Sequence, residues 1–257
     1  MRSEQFQSYL EEELSWRKKE ISELYLLAKT NSDEILLKSL ILILYAHWEG
    51  YIKKSSKLYM KFIVEEKIKV KDLTQNFKAI ALKDAAKKCL ETSDSLNLVH
   101  EFQLLNKYTE VDDKKFKVTV DPNDDQSSSI IHTDNNLKPK VFKNIINILG
   151  LSYHNSFITR ENYINSSLLA NRNAIGHGSK FDLTRQQNFS LTIQDITKLK
   201  EFILLILDFY TDTLLKYQGD KLYLICNVSK KDTINQENET WLENELKKLE
   251  EKYEGTS

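Results

Sequence analysis

The sequence is poor in the residues that form tight turns and cross-links. It has six glycines and two prolines among 257 residues. Chains that turn often use more of both, so this composition favours long helices. The two cysteines, Cys89 and Cys226, lie far apart and in no metal-like spacing. They indicate two buried thiols in a reducing compartment rather than a disulfide framework.

The chain also lacks the signs of export and of a membrane span. Met1 is followed by the residues RSEQ and then by mixed-charge sequence, which is typical of neither a signal peptide nor a transit peptide. The longest apolar run, residues 35–45, is interrupted by Lys38 and Ser39. It is shorter than the roughly 20 residues that a membrane helix needs. We therefore expect a soluble, cytoplasmic protein with no membrane partner.

Positive and negative charges nearly balance over the whole chain, with 37 Lys and Arg against 38 Asp and Glu. The formal net charge is -1, so no global basic field points to nucleic acid. One region is an exception, because residues 53–88 carry eleven lysines and four acids, an excess of seven positive charges. Most such runs are solvated helix faces, and an RNA-facing patch is the alternative.

Apolar residues recur with the period of an α-helix along most of the chain. The helix predicted at residues 33–64 begins apolar almost all round, which is typical of a central, buried helix, and Trp48 is predicted to lie in the core. The predicted helices span residues 4–29, 33–64, 77–91, 97–109, 137–149, 160–175, 193–216 and 239–253.

Three signals mark the ends of these helices. Asn31 with Glu34 three positions later resembles a capping box before the second helix. Thr192 is predicted to be an N-cap, because its hydroxyl can accept a hydrogen bond from the first turn that follows. Gly150 is predicted to end the helix before it, since glycine adopts the left-handed conformation without strain.

Two segments indicate something other than a helix. Residues 115–120 alternate between polar and apolar types like a short strand, and residues 121–125 follow as a turn. Residues 112–136 are therefore predicted to form a small β-hairpin or loop insertion on a helical core. Residues 221–225 are predicted as a further strand.

Most of the functional inference comes from the run RNAIGHG at residues 172–178. An arginine that holds a phosphate and a histidine that moves a proton are enough to cut RNA without a metal. On an ideal helix with Ile164 at the centre of the core face, Arg172 lies at about 80°, Asn173 at about 180° and His177 at about 220°. Asn173 and His177 then point away from the core, and Arg172 and His177 are about 140° apart and do not converge.

Two arrangements would complete a site from these residues. Gly176 and Gly178 would break the helix and let His177 swing towards Arg172, or a second copy of the chain would supply the other half. The same run also fits a plain helix end, in which a glycine takes the left-handed position and the histidine interacts with the negative end of the helix dipole.

The spacing of Arg172, Asn173 and His177 resembles the motif of HEPN domains, in which an arginine and a polar residue are followed by three positions and a histidine. The segment LYAHWEGYIK at residues 44–53 is similar to the second helix of the MAE_28990/MAE_18760-like HEPN branch. This resemblance covers about residues 1–216.

The resemblance implies an all-α fold, a HEPN-like helical bundle with a four-helix core plus extra helices. Residues 1–216 would form this domain, with the insertion at about residues 112–136. Residues 217–257 would form a C-terminal strand/helix extension packed on it.

The resemblance also implies an activity, because many HEPN proteins are metal-independent endoribonucleases that act as toxins or anti-phage defence effectors. His177 would be the general acid/base that helps the ribose 2′-OH attack the adjacent phosphate. A histidine, with an ordinary pKa of about 6.5, suits that task. Arg172 would hold the phosphate, Asn173 would orient the site, and the products would carry a 2′,3′-cyclic phosphate and a 5′-OH.

HEPN units usually pair as homodimers with two motifs facing one cleft, so RNA and a second copy are the expected partners. An antitoxin or partner defence protein is a further expected partner. His47, Glu49 and Lys180 are candidates for lining the cleft, although a hydrogen bond in helix packing also explains the first two. No cofactor is expected.

No metal site is expected either, since His100, His132 and His154 have no partner at metal-ligand spacing. The alternative function is a non-catalytic HEPN interaction subunit of a toxin-antitoxin or defence complex. RNA binding without cleavage through residues 53–88 is a third interpretation.

Overall fold

The computed structural model describes residues 1–31, 33–91, 97–124, 130–178 and 192–254. The fold is an all-α bundle, as predicted, with no strand in these ranges. The helices are α1 (Ser3–Asn31), α2 (Glu34–Glu65), α3 (Gln75–Glu91), α4 (Val99–Glu110), α5 (Pro139–Leu149), α6 (Asn155–Ile158), α7 (Glu161–Tyr163), α8 (Ala170–Gly176), α9 (Ile193–Gly219) and α10 (Val228–Glu254).

Helix α2 is the centre of the bundle and packs against α1, α5, α8 and α9. It is long and apolar enough to cross a membrane by length and composition, and half of its most apolar window is buried in the protein. A core helix has the same length and composition, and α2 occupies that position here. Trp48 is completely buried, which confirms its predicted place in the core.

The predicted helix ends are confirmed at two positions and wrong at one. Thr192 accepts a hydrogen bond from the backbone N–H of Asp195 at 3.1 Å, and Gly150 is left-handed, with φ of 73°. The cap of α2 is Asp33, whose carboxylate accepts from the N–H of Ile35 at 2.6 Å. Asn31 instead ends α1, so the predicted capping box at Asn31 is wrong.

The predicted strands are also wrong. Residues 115–120 make a single antiparallel bridge, between Lys115 and Lys69, and residues 221–223 form a turn. The alternation is real, since Phe116 is buried against Phe77, but a strand needs a neighbouring strand along its length. The loop form of the predicted insertion therefore describes this segment, and the hairpin form does not.

Helix α10 is longer than the helix predicted at residues 239–253, and it fixes the chain just before the motif. Glu239 accepts hydrogen bonds from the backbone N–H groups of Asn155 and Ser156 at 2.9 and 3.0 Å and so caps α6. Glu243 and Glu250 both pair with the buried guanidinium of Arg160, at 2.7 and 2.8 Å. These contacts anchor the start of α7.

The helix that carries the motif is irregular. A π-helical turn, Ile164–Leu169, lies between α7 and α8, and the backbone N–H of Ala170 bonds to the carbonyl of Asn165, five residues back. We call α7, this turn and α8 together the motif helix. Such turns occur mostly as single wide turns within α-helices and often at functional sites.

Candidate active site

The π-helical turn rotates the motif residues relative to the core. It accommodates one extra residue, so the positions beyond it are set back by about 100°. Arg172 is thereby turned by about 100° from its angle on an uninterrupted α-helix. Asn171 next to it is completely buried. The sequence prediction assumed α-helical geometry through residues 160–175, which does not include the π-helical turn, and Arg172 itself is half-buried.

Arg172 lies on the aromatic face of Tyr45 in α2. The central carbon of its guanidinium is 4.5 Å from the centre of the ring. Its Nη1 also donates to Oδ1 of the adjacent Asn173 at 2.9 Å. The side chain is half-buried, so its charge is restrained and still reachable from solvent. A guanidinium held in this way retains further N–H donors for an anion.

Tyr45 is itself fixed by the last residue of the insertion and the residue that follows it. Its hydroxyl donates to Oδ1 of Asn136 at 3.1 Å and accepts from the backbone N–H of Leu137 at 3.0 Å. Burial raises the pKa of Tyr45 well above its ordinary value, and the neighbouring Glu49 carboxylate raises it further. The phenol therefore stays protonated, and its ring is a fixed support for Arg172.

A depression of about 400 Å³ opens beside Arg172. Most of its lining residues recur every three to four positions along α2 and therefore share one face of that helix. The lining residues are Leu42, Tyr45, Ala46, Glu49, Gly50, Lys53 and Arg172. Oε1 of Glu49 accepts a hydrogen bond from the hydroxyl of the buried Thr133. The structure thus brings the predicted residues Glu49 and Arg172 to the same cavity.

His177 stands apart from this cavity, at the end of α8. Its backbone N–H bonds to the carbonyl of Asn173 at 3.0 Å, and Gly178 takes the left-handed conformation with φ of 67°. Its side chain is exposed and makes no hydrogen bond or ion pair with the part of the chain that the structure describes. On an ideal α-helix Arg172 and His177 are about 140° apart, and α8 ends at Gly176, one residue before His177.

A family model described as MAE_28990/-like HEPN matches residues 6–223. The chain belongs to this HEPN family. Comparisons with curated proteins and with solved structures gave no match. HEPN domains are commonly ribonucleases, and the family indicates a nuclease-type or RNA-related function.

In this HEPN domain, His47 does not line the depression beside Arg172. It lies two residues from Tyr45 and faces the other side of α2. There its Nε2 is 2.8 Å from Oε2 of Glu20, and its ring packs edge-on against Trp16 at 5.2 Å. Burial lowers the pKa of His47, against the opposing effect of Glu20. This is the helix-packing role that the sequence offered as the alternative.

Two predictions about lysines remain, one for Lys180 and one for residues 53–88. Lys180 lies outside the described residues. At least five of the eleven lysines of residues 53–88 contact oxygen atoms of other segments: Lys54, Lys57, Lys69, Lys71 and Lys78. Lys71 pairs with Asp113 at 2.8 Å and Lys78 with Asp112 at 2.8 Å. These contacts favour a paired, solvated surface over an RNA-facing patch.

Sequence reasoning missed Tyr45 and Thr133 as parts of the site. Tyr45 lies within the segment that carried the resemblance, four residues before Glu49 and on the same helix face, so the spacing was available as a signal. Thr133 had no such signal, because it reaches Glu49 from a different part of the chain. Among the described residues, no group of three or more His, Cys, Asp or Glu side chains is arranged to hold a metal ion.

Proposed function

We propose that this HEPN protein is an endoribonuclease that needs no metal ion. One observation carries the proposal: the arginine of a complete HEPN motif is restrained on Tyr45 at the edge of an open cavity, and the histidine of the same motif is exposed at the helix end. RNA can thus reach both the arginine that would bind its phosphate and the histidine that would carry the proton.

In the proposed reaction, His177 takes the proton of a ribose 2′-OH as that oxygen attacks the adjacent phosphorus. The bond from phosphorus to the 5′-oxygen breaks, and the 5′-oxygen takes a proton from a protonated histidine. The ends formed are a 2′,3′-cyclic phosphate and a 5′-OH. Arg172 binds the phosphate and stabilises the charge that develops on its oxygens. Asn173 orients Arg172 through their hydrogen bond.

We propose that two copies of the chain form the working site. The 140° between Arg172 and His177 is too large for both to face one phosphate from a single straight helix, whereas a two-fold pair of motif helices presents two of each to a shared cleft. A role as a toxin or anti-phage effector in the cytoplasm, held in check by an antitoxin or partner defence protein, belongs to the same proposal.

The test is RNA cleavage by the purified protein in excess EDTA. We expect cleavage by the wild type, with 3′ ends that resist phosphatase until mild acid opens the cyclic phosphate. His177→Ala should lower the rate by about 100-fold or more, because general acid/base catalysis contributes that much. Arg172→Ala should lower it on the order of 100-fold through loss of charge stabilisation.

Two matched variants control for general effects of the substitutions. His100→Ala and Arg2→Ala remove the same side-chain types from α4 and from the N-terminus, away from the motif. Both should cleave RNA like the wild type. Equal cleavage by wild type, His177→Ala and Arg172→Ala would exclude the proposal. RNA left intact by a folded wild-type dimer would instead favour the non-catalytic HEPN subunit.

A further inference from the structure

The depression beside Arg172 has a composition that phosphate binding alone does not explain. Leu42, Ala46 and Gly50 are among its lining residues and present no charged or hydrogen-bonding side chain. Its charged lining residues are Arg172, Lys53 and Glu49. The volume of about 400 Å³ falls in the range of small-molecule sites, roughly 300–1,000 Å³. The cavity is therefore large enough for more of a nucleotide than its phosphate.

Glu49 is the informative member of this set. An ionised carboxylate repels a phosphate, so its place beside a phosphate-binding arginine opposes RNA binding unless it meets a hydrogen-bond donor. The base attached to the bound phosphate is the part of RNA that carries such donors. Single-stranded RNA is read in this way, through hydrogen bonds to the exposed edges of its bases.

Glu49 is also held in a defined position. The hydroxyl of Thr133, a buried residue, donates to its Oε1. A carboxylate has two oxygens and several lone pairs, so this hydrogen bond leaves acceptor capacity facing the cavity. A fixed acceptor at the side of a cavity discriminates between ligands better than a mobile one, because little order has to be gained on binding.

We propose that this depression is a nucleobase pocket in which Glu49 accepts hydrogen bonds from the base that adjoins the cleaved phosphate. Guanine fits best, because its ring N1–H and its amino group lie side by side and match a carboxylate. Adenine and cytosine present one amino group each. Uracil presents one N–H, and the two carbonyl oxygens on either side of it are repelled by the carboxylate. The inference rests on the proposed function and names the substrate that the site selects.

The experiment measures kcat/KM on four short RNAs that differ only in the base 5′ to a single cleavable linkage, the other linkages being 2′-deoxy. A second set varies the base 3′ to it. We expect the wild type to prefer guanine over uracil by on the order of tenfold on one side of the linkage. Glu49→Gln replaces an acceptor with a group that also donates, so the guanine preference should be lost while the cleavage of uracil is retained or rises.

Two further variants separate recognition from folding. Thr133→Val keeps the shape of the side chain and removes the hydroxyl that holds Glu49, and it should weaken the guanine preference several-fold. Glu161→Gln changes another half-buried glutamate, which accepts from the hydroxyl of Tyr153 at 2.9 Å away from the depression. It should leave the preference unchanged.

The outcomes distinguish the two levels of inference. If the wild type cleaves all four RNAs equally, or if Glu49→Gln keeps the guanine preference, the nucleobase pocket is excluded and the ribonuclease stands. If Glu49→Gln instead lowers the rate equally on every RNA, Glu49 acts in phosphate binding or in folding. That result would also exclude the nucleobase pocket. If the wild type cleaves none of the RNAs, the proposed function itself has failed.

Discussion

Tyr45 connects two parts of the molecule that the sequence does not link. Its ring supports Arg172 from α8, and its hydroxyl bonds to Asn136 and Leu137, on the other side of α2 from α1. The backbone N–H of Leu137 is buried, and the Tyr45 oxygen is its hydrogen-bond acceptor. The position of the catalytic candidate Arg172 thus depends on a tyrosine that has no chemical role in the proposed reaction.

We predict that Tyr45→Phe lowers the free energy of unfolding by about 1–3 kcal/mol, because the buried N–H of Leu137 loses its partner. Urea denaturation at constant pH measures this change. The matched control is Tyr9→Phe, at a tyrosine that is about half exposed (48%), and it should change stability by less than about 0.5 kcal/mol. Equal stabilities of the two variants would contradict the prediction. Since Phe keeps the ring face, RNA cleavage by Tyr45→Phe should stay close to wild type.

Individual residues were predictable from the sequence where burial alone decides the outcome. Trp48 is an example, since a large apolar side chain in the most apolar helix has no better place than the core. Burial alone did not show which of His47 and Glu49 lies beside Arg172. They lie on different sides of α2, and only the packing of α1 on one side and α8 on the other shows which of them meets Arg172.

Helices were predicted well because their signal is local. The apolar period and the capping hydroxyl of Thr192 lie within a few residues of the elements they specify. Strand pairing is not local, so the alternation at residues 115–120 indicated a strand that has no partner along its length. The π-helical turn was not predicted for another reason: an ideal helix advances 100° at every residue and so has no place for an added one.

The contact between α10 and Arg160 supplies a prediction about stability. The guanidinium is buried and takes its charge partners, Glu243 and Glu250, from α10. We expect Arg160→Ala to lower the free energy of unfolding by about 3 kcal/mol. This is the low end for a broken buried ion pair, because the two carboxylates are about one-third exposed.

The free energy of unfolding of Arg160→Ala is measured in urea beside that of Arg2→Ala, which removes an exposed arginine. If Arg160→Ala lowers the free energy of unfolding by less than about 1 kcal/mol, the contact with α10 contributes little to the stability of the motif helix.

At the scale of the whole molecule, the proposed two-fold pairing predicts complementation between inactive variants. Arg172→Ala and His177→Ala each remove one half of the site. When the two proteins are mixed and allowed to exchange subunits, half of the dimers carry one copy of each. Each mixed dimer retains one Arg172 and one His177 on opposite protomers, so about a quarter of wild-type activity should return.

RNA cleavage by the mixture is measured against each variant alone at the same total concentration, and light scattering gives the mass of each sample. Heating to promote exchange, followed by a return to the assay temperature, serves as the control for slow mixing. Activity that stays at the level of the single variants after exchange would place both residues of a working site on one protomer. A monomer mass at micromolar concentration would contradict the pairing itself.

The wide turn at Ile164–Leu169 places a limit on how this region tolerates changes in length. Removing one residue there would restore an ordinary α-helix with all its backbone hydrogen bonds, so the fold would lose little. Because this turn absorbs one extra residue, the positions beyond the deletion would keep their angles around the helix axis, and Arg172 would stay on the face of Tyr45. Removing one residue from α8 before Arg172 would instead turn Arg172 by about 100° and take it off the face of Tyr45.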